Sequence, residues 1–208
     1  MSIHSIRGVI FDLDGTLVDS RLDFDAMRRE IGLASGTPVI EGMLALAGND
    51  AARGWEIVER HERIGAATAT VIPGVADLLN ELHRGDIHIG IVTRNGGSFA
   101  RETLRRLQLP IELVMSRDDA APKPSPEALL KILEFWRLPA QRSAMVGDFR
   151  FDLEAGRAAG MRAVLYSADC TEEELAAWRP LADFVVPSFV DCEPLLAWLA
   201  NPCQTHDL

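Results

Sequence analysis

The 208-residue chain predicts an α/β fold: a parallel sheet sandwiched by helices, with a small all-helical insert after the first strand. Three observations predict it. Short β-branched runs alternate with helix-length amphipathic stretches over most of the chain, which implies parallel strands joined by crossover helices. One segment, Asp19 to Ile72, breaks that alternation with a helical pattern throughout and no convincing strand. A hydrophobic content of 48% is enough for one good core plus a small second domain.

The strand-like runs are Val9–Asp12, Ile87–Thr93, Ile111–Met115, Ala144–Gly147, Ala163–Tyr166 and Phe184–Val186. Pro73-Gly74-Val75 opens a helix with Val75, Leu78, Leu79 and Leu82 on one face, and Gly85 ends it. Ser98–Leu107 carries Phe99, Leu104 and Leu107. Ser125-Pro126-Glu127 supplies a cap and an N1 proline to a helix bearing Leu129, Leu130, Leu133 and Trp136. Phe151–Ala159, Thr171–Trp178 and Pro187–Leu199 complete the set. In the insert, Phe24, Met27 and Ile31, then Val39, Ile40, Met43 and Leu44, then Trp55, Ile57 and Val58 read as faces of about three helices. Gly32, Gly36 and Gly48 punctuate them. Such an insert leaves just after the first strand and returns at Pro73, so it is expected over the sheet edge as a lid.

Composition narrows the function. The formal charge is −10 without a basic block, which disfavours nucleic acid and anionic membranes. No apolar run approaches the roughly 18 residues of a membrane span, and Met1–Arg7 lacks the apolar stretch of a secretory signal. Cys170, Cys192 and Cys203 are odd in number and have no CxxC spacing, arguing against a zinc site or a disulfide framework. A soluble protein of a reducing compartment, hence cytoplasmic, is expected. The cations are nineteen arginines and two lysines, Lys123 and Lys131.

Four short elements fall at the C-terminal ends of predicted strands, where open α/β sheets bind their ligands. Asp12-Leu13-Asp14-Gly15-Thr16 follows the first strand, and its two carboxylates face one site if the strand continues through Leu13. Thr93-Arg94-Asn95 puts a hydroxyl at another tip, and Ala121-Pro122-Lys123-Pro124 holds a lysine between prolines ahead of a helix. Val146-Gly147-Asp148 leads into Phe149-Arg150-Phe151-Asp152, adding two carboxylates. Taken singly, Thr93 suits a strand end, Lys123 a solvated loop, and Asp148 and Asp152 the first turn of a helix. Their coincidence at one edge supplies nucleophile, hydroxyl, cation and metal-ligand carboxylates, the parts that phosphoryl transfer needs.

These four elements, in this order from Asp12 to Asp152, resemble the motifs of the haloacid-dehalogenase-like hydrolase superfamily, and the layout is similar to its phosphoglycolate-phosphatase-like branch. The resemblance implies a Rossmann-like catalytic core of residues 1–18 and 73–208 and a helical cap of residues 19–72. It implies an Mg²⁺-dependent phosphatase acting on a small phosphorylated metabolite, phosphoglycolate-like or a sugar phosphate, through an aspartyl-phosphate. Asp12 would be the nucleophile and Asp14 the acid and base. Asp12, the backbone carbonyl of Asp14 and Asp148 would hold Mg²⁺. Thr93 and Lys123 would bind the phosphoryl group, with Arg94 and Asn95 at the pocket rim, and Asp152 would steady Lys123 or the metal's waters. The chain would act as a monomer or homodimer, with cap motion gating access.

Neighbouring activities are weighed by what the sequence has and lacks. Dehalogenases of the superfamily have no carboxylate where Asp14 stands, and the insert has no lysine for the Schiff base of the phosphonate-cleaving relatives. A sugar-phosphate mutase is the nearest rival, but Val18 to Phe24 lacks the histidine typical of that group, and the insert lacks its lysine. A non-catalytic phosphometabolite-binding protein is the alternative of another class. Arg21, Arg28, Arg29, Arg53, Arg60 and Arg63 are insert cations of which one or two would point inward, towards a second anionic group of the substrate. Trp55 and Phe24 are candidates for the insert's side of the pocket, with core packing the expected use of both. None of the five histidines reads as catalytic.

Overall fold

The computed structural model describes residues 5–111 and 113–202, so Cys203, His4, His206 and Glu112 of the predicted strand 111–115 lie outside it. In chain order the elements begin with β1 (Gly8–Phe11), β2 (Val18–Asp19), α1 (Phe24–Ile31), α2 (Val39–Leu44), α3 (Gly48–Thr68) and β3 (Thr70–Val71). They continue with α4 (Val75–Arg84), β4 (His88–Val92), α5 (Gly97–Arg106), β5 (Leu113–Met115) and α6 (Glu127–Trp136). Last come β6 (Ser143–Gly147), α7 (Arg150–Ala158), β7 (Arg162–Tyr166), α8 (Glu172–Trp178), β8 (Phe184–Val186) and α9 (Glu193–Ala200).

Six strands form one parallel sheet in the order β5-β4-β1-β6-β7-β8. β1 sits centrally, with Gly8 opposite both His88 and Ser143, and all four of its residues are buried. The chain winds outward from β1 through β4 and β5, then crosses to β6 and winds the other way. The reversal opens a crevice at the carboxyl ends of β1 and β6, the usual ligand position of such sheets. Strand alternation divides the core: Val9, Phe11, Ala144 and Val146 face α4, α5 and α9, whereas Ile10 and Met145 face α6 and α7. Among the described residues no helix is long and apolar enough to cross a membrane.

Three expectations about elements change. The stretch 19–72 is not helical throughout, because β3 pairs antiparallel with β2, Val71 opposite Val18 and Thr70 opposite Asp19. Two residues are too few for an alternating pattern to show. The last helix starts at Glu193 rather than Pro187, since side chains satisfy the preceding amides. Ser188 Oγ accepts from Val190 N–H at 3.1 Å and Asp191 Oδ1 from Glu193 N–H at 3.3 Å, a local alternative to helix. Finally, α6 begins at Glu127, with Pro126 at its N-cap instead of N1.

Helices α1–α3 have their own small core of Met27, Val39, Met43 and Val58, with Leu22, Ile31, Leu46 and Trp55 packed against it. They lie against the sheet's carboxyl edge through polar contacts. Arg106 donates from Nε to the Ala66 carbonyl at 2.8 Å, and Glu41 of α2 pairs with Arg94 after β4. Glu62 of α3 and Arg117 after β5 form a bidentate pair, with Nη2 to Oε2 at 2.9 Å and side chains only 6% and 10% exposed. Trp55 stacks 5.0 Å from that guanidinium. Burial pushes Glu62 above its usual range even with Arg117 beside it. Removing one partner strands the other, so Glu62→Ala is expected to destabilise the fold by about 3 kcal/mol in urea unfolding. Glu62→Leu combined with Arg117→Met should recover most of that loss. A single-variant loss below about 0.5 kcal/mol would show that the pair does not hold these helices down.

Candidate active site

The first carboxylate is fixed by the sheet. Asp12 stands one residue past β1, and its N–H still donates to the Val146 carbonyl at 2.9 Å. The strand does not run on through Leu13, as facing carboxylates would require on sequence grounds. Leu13 turns instead: its carbonyl accepts from Leu17 and Val18 at 2.9 and 3.0 Å, and its N–H donates to Asp12 Oδ1 at 2.7 Å. The turn brings Asp14 to the same cavity as Asp12 by another route. Gly15 permits it with φ of +84°, and a Cβ there would stand 2.3 Å from Asp148 Oδ2. The backbone therefore closes directly onto Asp148, whose Oδ1 accepts from Thr16 Oγ1 at 2.9 Å.

Lys123 is 1% exposed, and its Nζ lies 2.8 Å from Asp12 Oδ1 and 2.6 Å from Asp152 Oδ1. Burial pulls the ammonium down, but the charges of Asp12 and Asp152 outweigh it and hold Lys123 above its ordinary value. Asp152 occupies the first turn of α7, where its Oδ2 also accepts from Phe149 N–H at 3.0 Å. The helix-start and lysine-holding readings of Asp152 are therefore both met by one side chain. Gly147 makes room for it, since a Cβ there would meet Asp152 Cγ at 2.2 Å.

Negative charge exceeds positive charge at this point. Asp12, Asp148 and Asp152 bring carboxylate oxygens within 4.8 Å of one another against one ammonium, a group that could hold a metal ion. Burial pushes Asp148 well above its usual range, and the charges of Asp12 and Asp152 add to the push. Burial likewise pushes Asp152 up to about 6, with Lys123 opposing. Crowded, dehydrated carboxylates and an all-oxygen donor set fit a hard divalent cation. The sequence predicts Asp12, the Asp14 carbonyl and Asp148 as the metal's ligands, with Asp152 behind them; the cluster of carboxylate oxygens in the fold is that of Asp12, Asp148 and Asp152.

Asp14 is half-buried, and its loss of water raises its pKa, while hydrogen bonds from Ser20 and Asn95 pull the other way. Asn95 Nδ2 donates to Asp14 Oδ2 at 3.2 Å. Thr93 is buried at the tip of β4, and its Oγ1 accepts from Asn95 N–H at 3.1 Å. Arg94 borders the cavity, but its guanidinium donates to the Lys123 carbonyl, pairs with Glu41 and stacks 4.8 Å from Phe151. Its geometry is that of a brace for the Lys123 loop.

Of the six insert arginines, Arg28 alone borders the cavity of about 350 Å³ that opens before these groups. Phe24 also borders it and is half-exposed, so it does not pack as core, whereas Trp55 does. His61 bonds Glu30, His83 bonds the Leu79 carbonyl and His88 stacks on Trp136, all outside that cavity. Sequence reasoning passed over Thr16, Ser20, Glu41, Glu62 and Arg117. Thr16 was within reach, since it ends the Asp12 motif.

An open parallel sheet with a carboxylate–lysine cluster at its point of reversal has the parts that phosphoryl-transfer chemistry uses. A sequence model of the family described as haloacid dehalogenase-like hydrolase matches residues 25–166, and the chain belongs to that family. The match takes in Thr93, Lys123, Asp148 and Asp152, while Asp12 and Asp14 precede it. The chain is 31% identical to an N-acetylmuramic acid 6-phosphate phosphatase of Pseudomonas putida, over 87% of this chain and 92% of that one. It is equally 31% identical to a phosphoglycolate phosphatase of Rhodospirillum rubrum, over 94% and 92%. The solved structure of a hydrolase from Pseudomonas syringae superposes with a TM-score of 0.75 at 25% identity, covering 93% of this chain and 99% of that one.

Proposed function

We infer that the chain is an Mg²⁺-dependent phosphatase of small phosphate monoesters. The observation that carries this is Lys123, buried between Asp12 and Asp152 beside Asp148, with Asp14 bordering the same cavity. The phosphatase names of two relatives that span nearly the whole chain point the same way.

In this reading an Asp12 oxygen attacks phosphorus as the bond to the leaving oxygen breaks, and Asp14 gives that oxygen its proton. Asp14 then takes a proton from water, whose oxygen attacks phosphorus and frees inorganic phosphate and the Asp12 carboxylate. A raised pKa suits Asp14 to hold the proton it must give. Lys123 and the Thr93 hydroxyl bind the phosphoryl oxygens, and Asn95 orients Asp14. Asp12, Asp148 and the Asp14 carbonyl would hold Mg²⁺, which supplies charge neutralisation at the phosphoryl oxygens when bound. Asp152 holds Lys123. Residues 19–72 act as a cap over a core formed by 1–18 and 73–208; the separate core of α1–α3 and their seat on the sheet edge support this.

The test is phosphate release from a panel of monoesters with Mg²⁺ and with a chelator. Release that falls at least about 100-fold on chelation, and returns with Mg²⁺, is expected. Release unaffected by chelation would remove the metal, and no release at all would remove the phosphatase.

A further inference from the structure

The cavity before the carboxylates has two unlike sides. Next to Asp12 and Asp14 it is polar, with Thr93 and Asn95. Leu22, Met27, Val39, Ile40 and Val58 line the rest of it from the helical segment, and Phe24 there, with Phe149 and Phe151 after Asp148, adds aromatic surface. Phe24 and Phe149 are both half-exposed, whereas Met27, Val39 and Val58 are packed into the helical segment's own core, so the open apolar surface is chiefly aromatic.

Beyond the carboxylates of Asp12, Asp14 and Asp148, three charged side chains border the cavity, and each already has a partner within the fold. Arg28 donates to Asp25 at 2.7 Å and to the Thr37 carbonyl at 3.3 Å. Arg94 is taken by Glu41 and the Lys123 carbonyl, and Glu62 by Arg117. Arg28 Nε has no hydrogen-bond partner among the described residues, but it is buried and so closed to a molecule in the cavity.

That wall discriminates among leaving groups. A carboxylate placed there would lose its water against side chains that offer no spare cation. A polyhydroxylated sugar would leave several hydroxyls without partners. Apolar surface, by contrast, gains from being covered. At about 30 Å³ for each water-sized atom, 350 Å³ takes roughly twelve non-hydrogen atoms, and the phosphoryl group beside Asp12 fills about four of them, which leaves about eight for the alcohol.

We propose that the substrate is a phosphate monoester of an uncharged, largely apolar alcohol of about that size. This rests on the phosphatase reading and adds to it the class of leaving group. It runs against the expectation that insert arginines meet a second anionic group.

The experiment compares kcat/KM of the wild-type protein with Mg²⁺ for 2-phenylethyl phosphate, glycerol 3-phosphate and phosphoglycolate. The aryl-alkyl ester is expected to lead both others by about tenfold or more. Phe24→Ala should reduce that lead several-fold. Calorimetry of the wild type with 2-phenylethylphosphonate and with phosphonoacetate reads the same preference without turnover. Asp12-dependent release with phosphoglycolate or glycerol 3-phosphate in front would overturn the proposal and leave the phosphatase standing. Tighter binding of the phenylethylphosphonate without release of phosphate from any ester would uphold the apolar cavity and overturn the phosphatase. Equal or tighter phosphonoacetate binding would overturn the proposal whether or not phosphate is released.

Discussion

Asp12→Asn is expected to lower phosphate release by about 10⁴-fold or more, because an amide oxygen does not replace the attacking carboxylate. The variant should stay folded: asparagine keeps the shape, the backbone bond from Asp12 to Val146 is untouched, and Lys123 retains Asp152 at 2.6 Å. Circular dichroism and the urea midpoint check this separately from turnover. Activity within about tenfold of wild type in a folded variant would mean that Asp12 is not the nucleophile.

Lys123→Met should harm both stability and activity, and for the same reason. The substitution keeps much of the volume but leaves Asp12, Asp148 and Asp152 without a cation in metal-free protein. A loss of about 3–5 kcal/mol is expected, since a broken buried pair leaves its partners uncompensated. Adding Asp152→Leu should return much of the stability but none of the activity, and this non-additivity is the signature of direct coupling. The pH dependence has a definite sign. Burial already raises Asp152 to about 6 with Lys123 present, so the folded protein binds its proton more readily than the unfolded chain does. Stability from this group therefore increases as pH falls from about 6 towards the ordinary carboxylate value near 4. Without Lys123 the window moves upward, so the deficit of Lys123→Met should shrink on acidification. Urea titrations of metal-free protein between about pH 8 and 5 measure it, and a pH-independent deficit would contradict the electrostatic account.

What could be read from the sequence was whatever leaves a local pattern. Buried parallel strands are written as β-branched runs, so every strand of the main sheet was predicted to within a few residues, and the residues at their tips followed. Pairings across the chain leave no such trace. Glu62 and Arg117 stand 55 residues apart, and Glu62 reads as one more charge on a helix face until the fold buries it. Arg94 does border the cavity, as its place beside Thr93 suggests, but its pairing with Glu41 from 53 residues away leaves no local trace either. Phe24 shows the converse error. Its spacing with Met27 and Ile31 marks an apolar face, but periodicity does not say whether that face meets a core or a cavity.

The ribbon of β2 and β3 has a consequence for how such proteins diversify. Chain departure and return at the helical segment are hydrogen-bonded neighbours, Asp19 opposite Thr70. Everything between them is an appendage on one stem, and antiparallel neighbours can be joined by a turn of as few as two residues. A segment of any length with closely spaced ends can thus be spliced in at this stem without disturbing the register of β1 against β4 and β6. Exchange at this stem has two points to answer, because Arg94 and Arg117 at the sheet edge take their carboxylate partners, Glu41 and Glu62, from the appended segment.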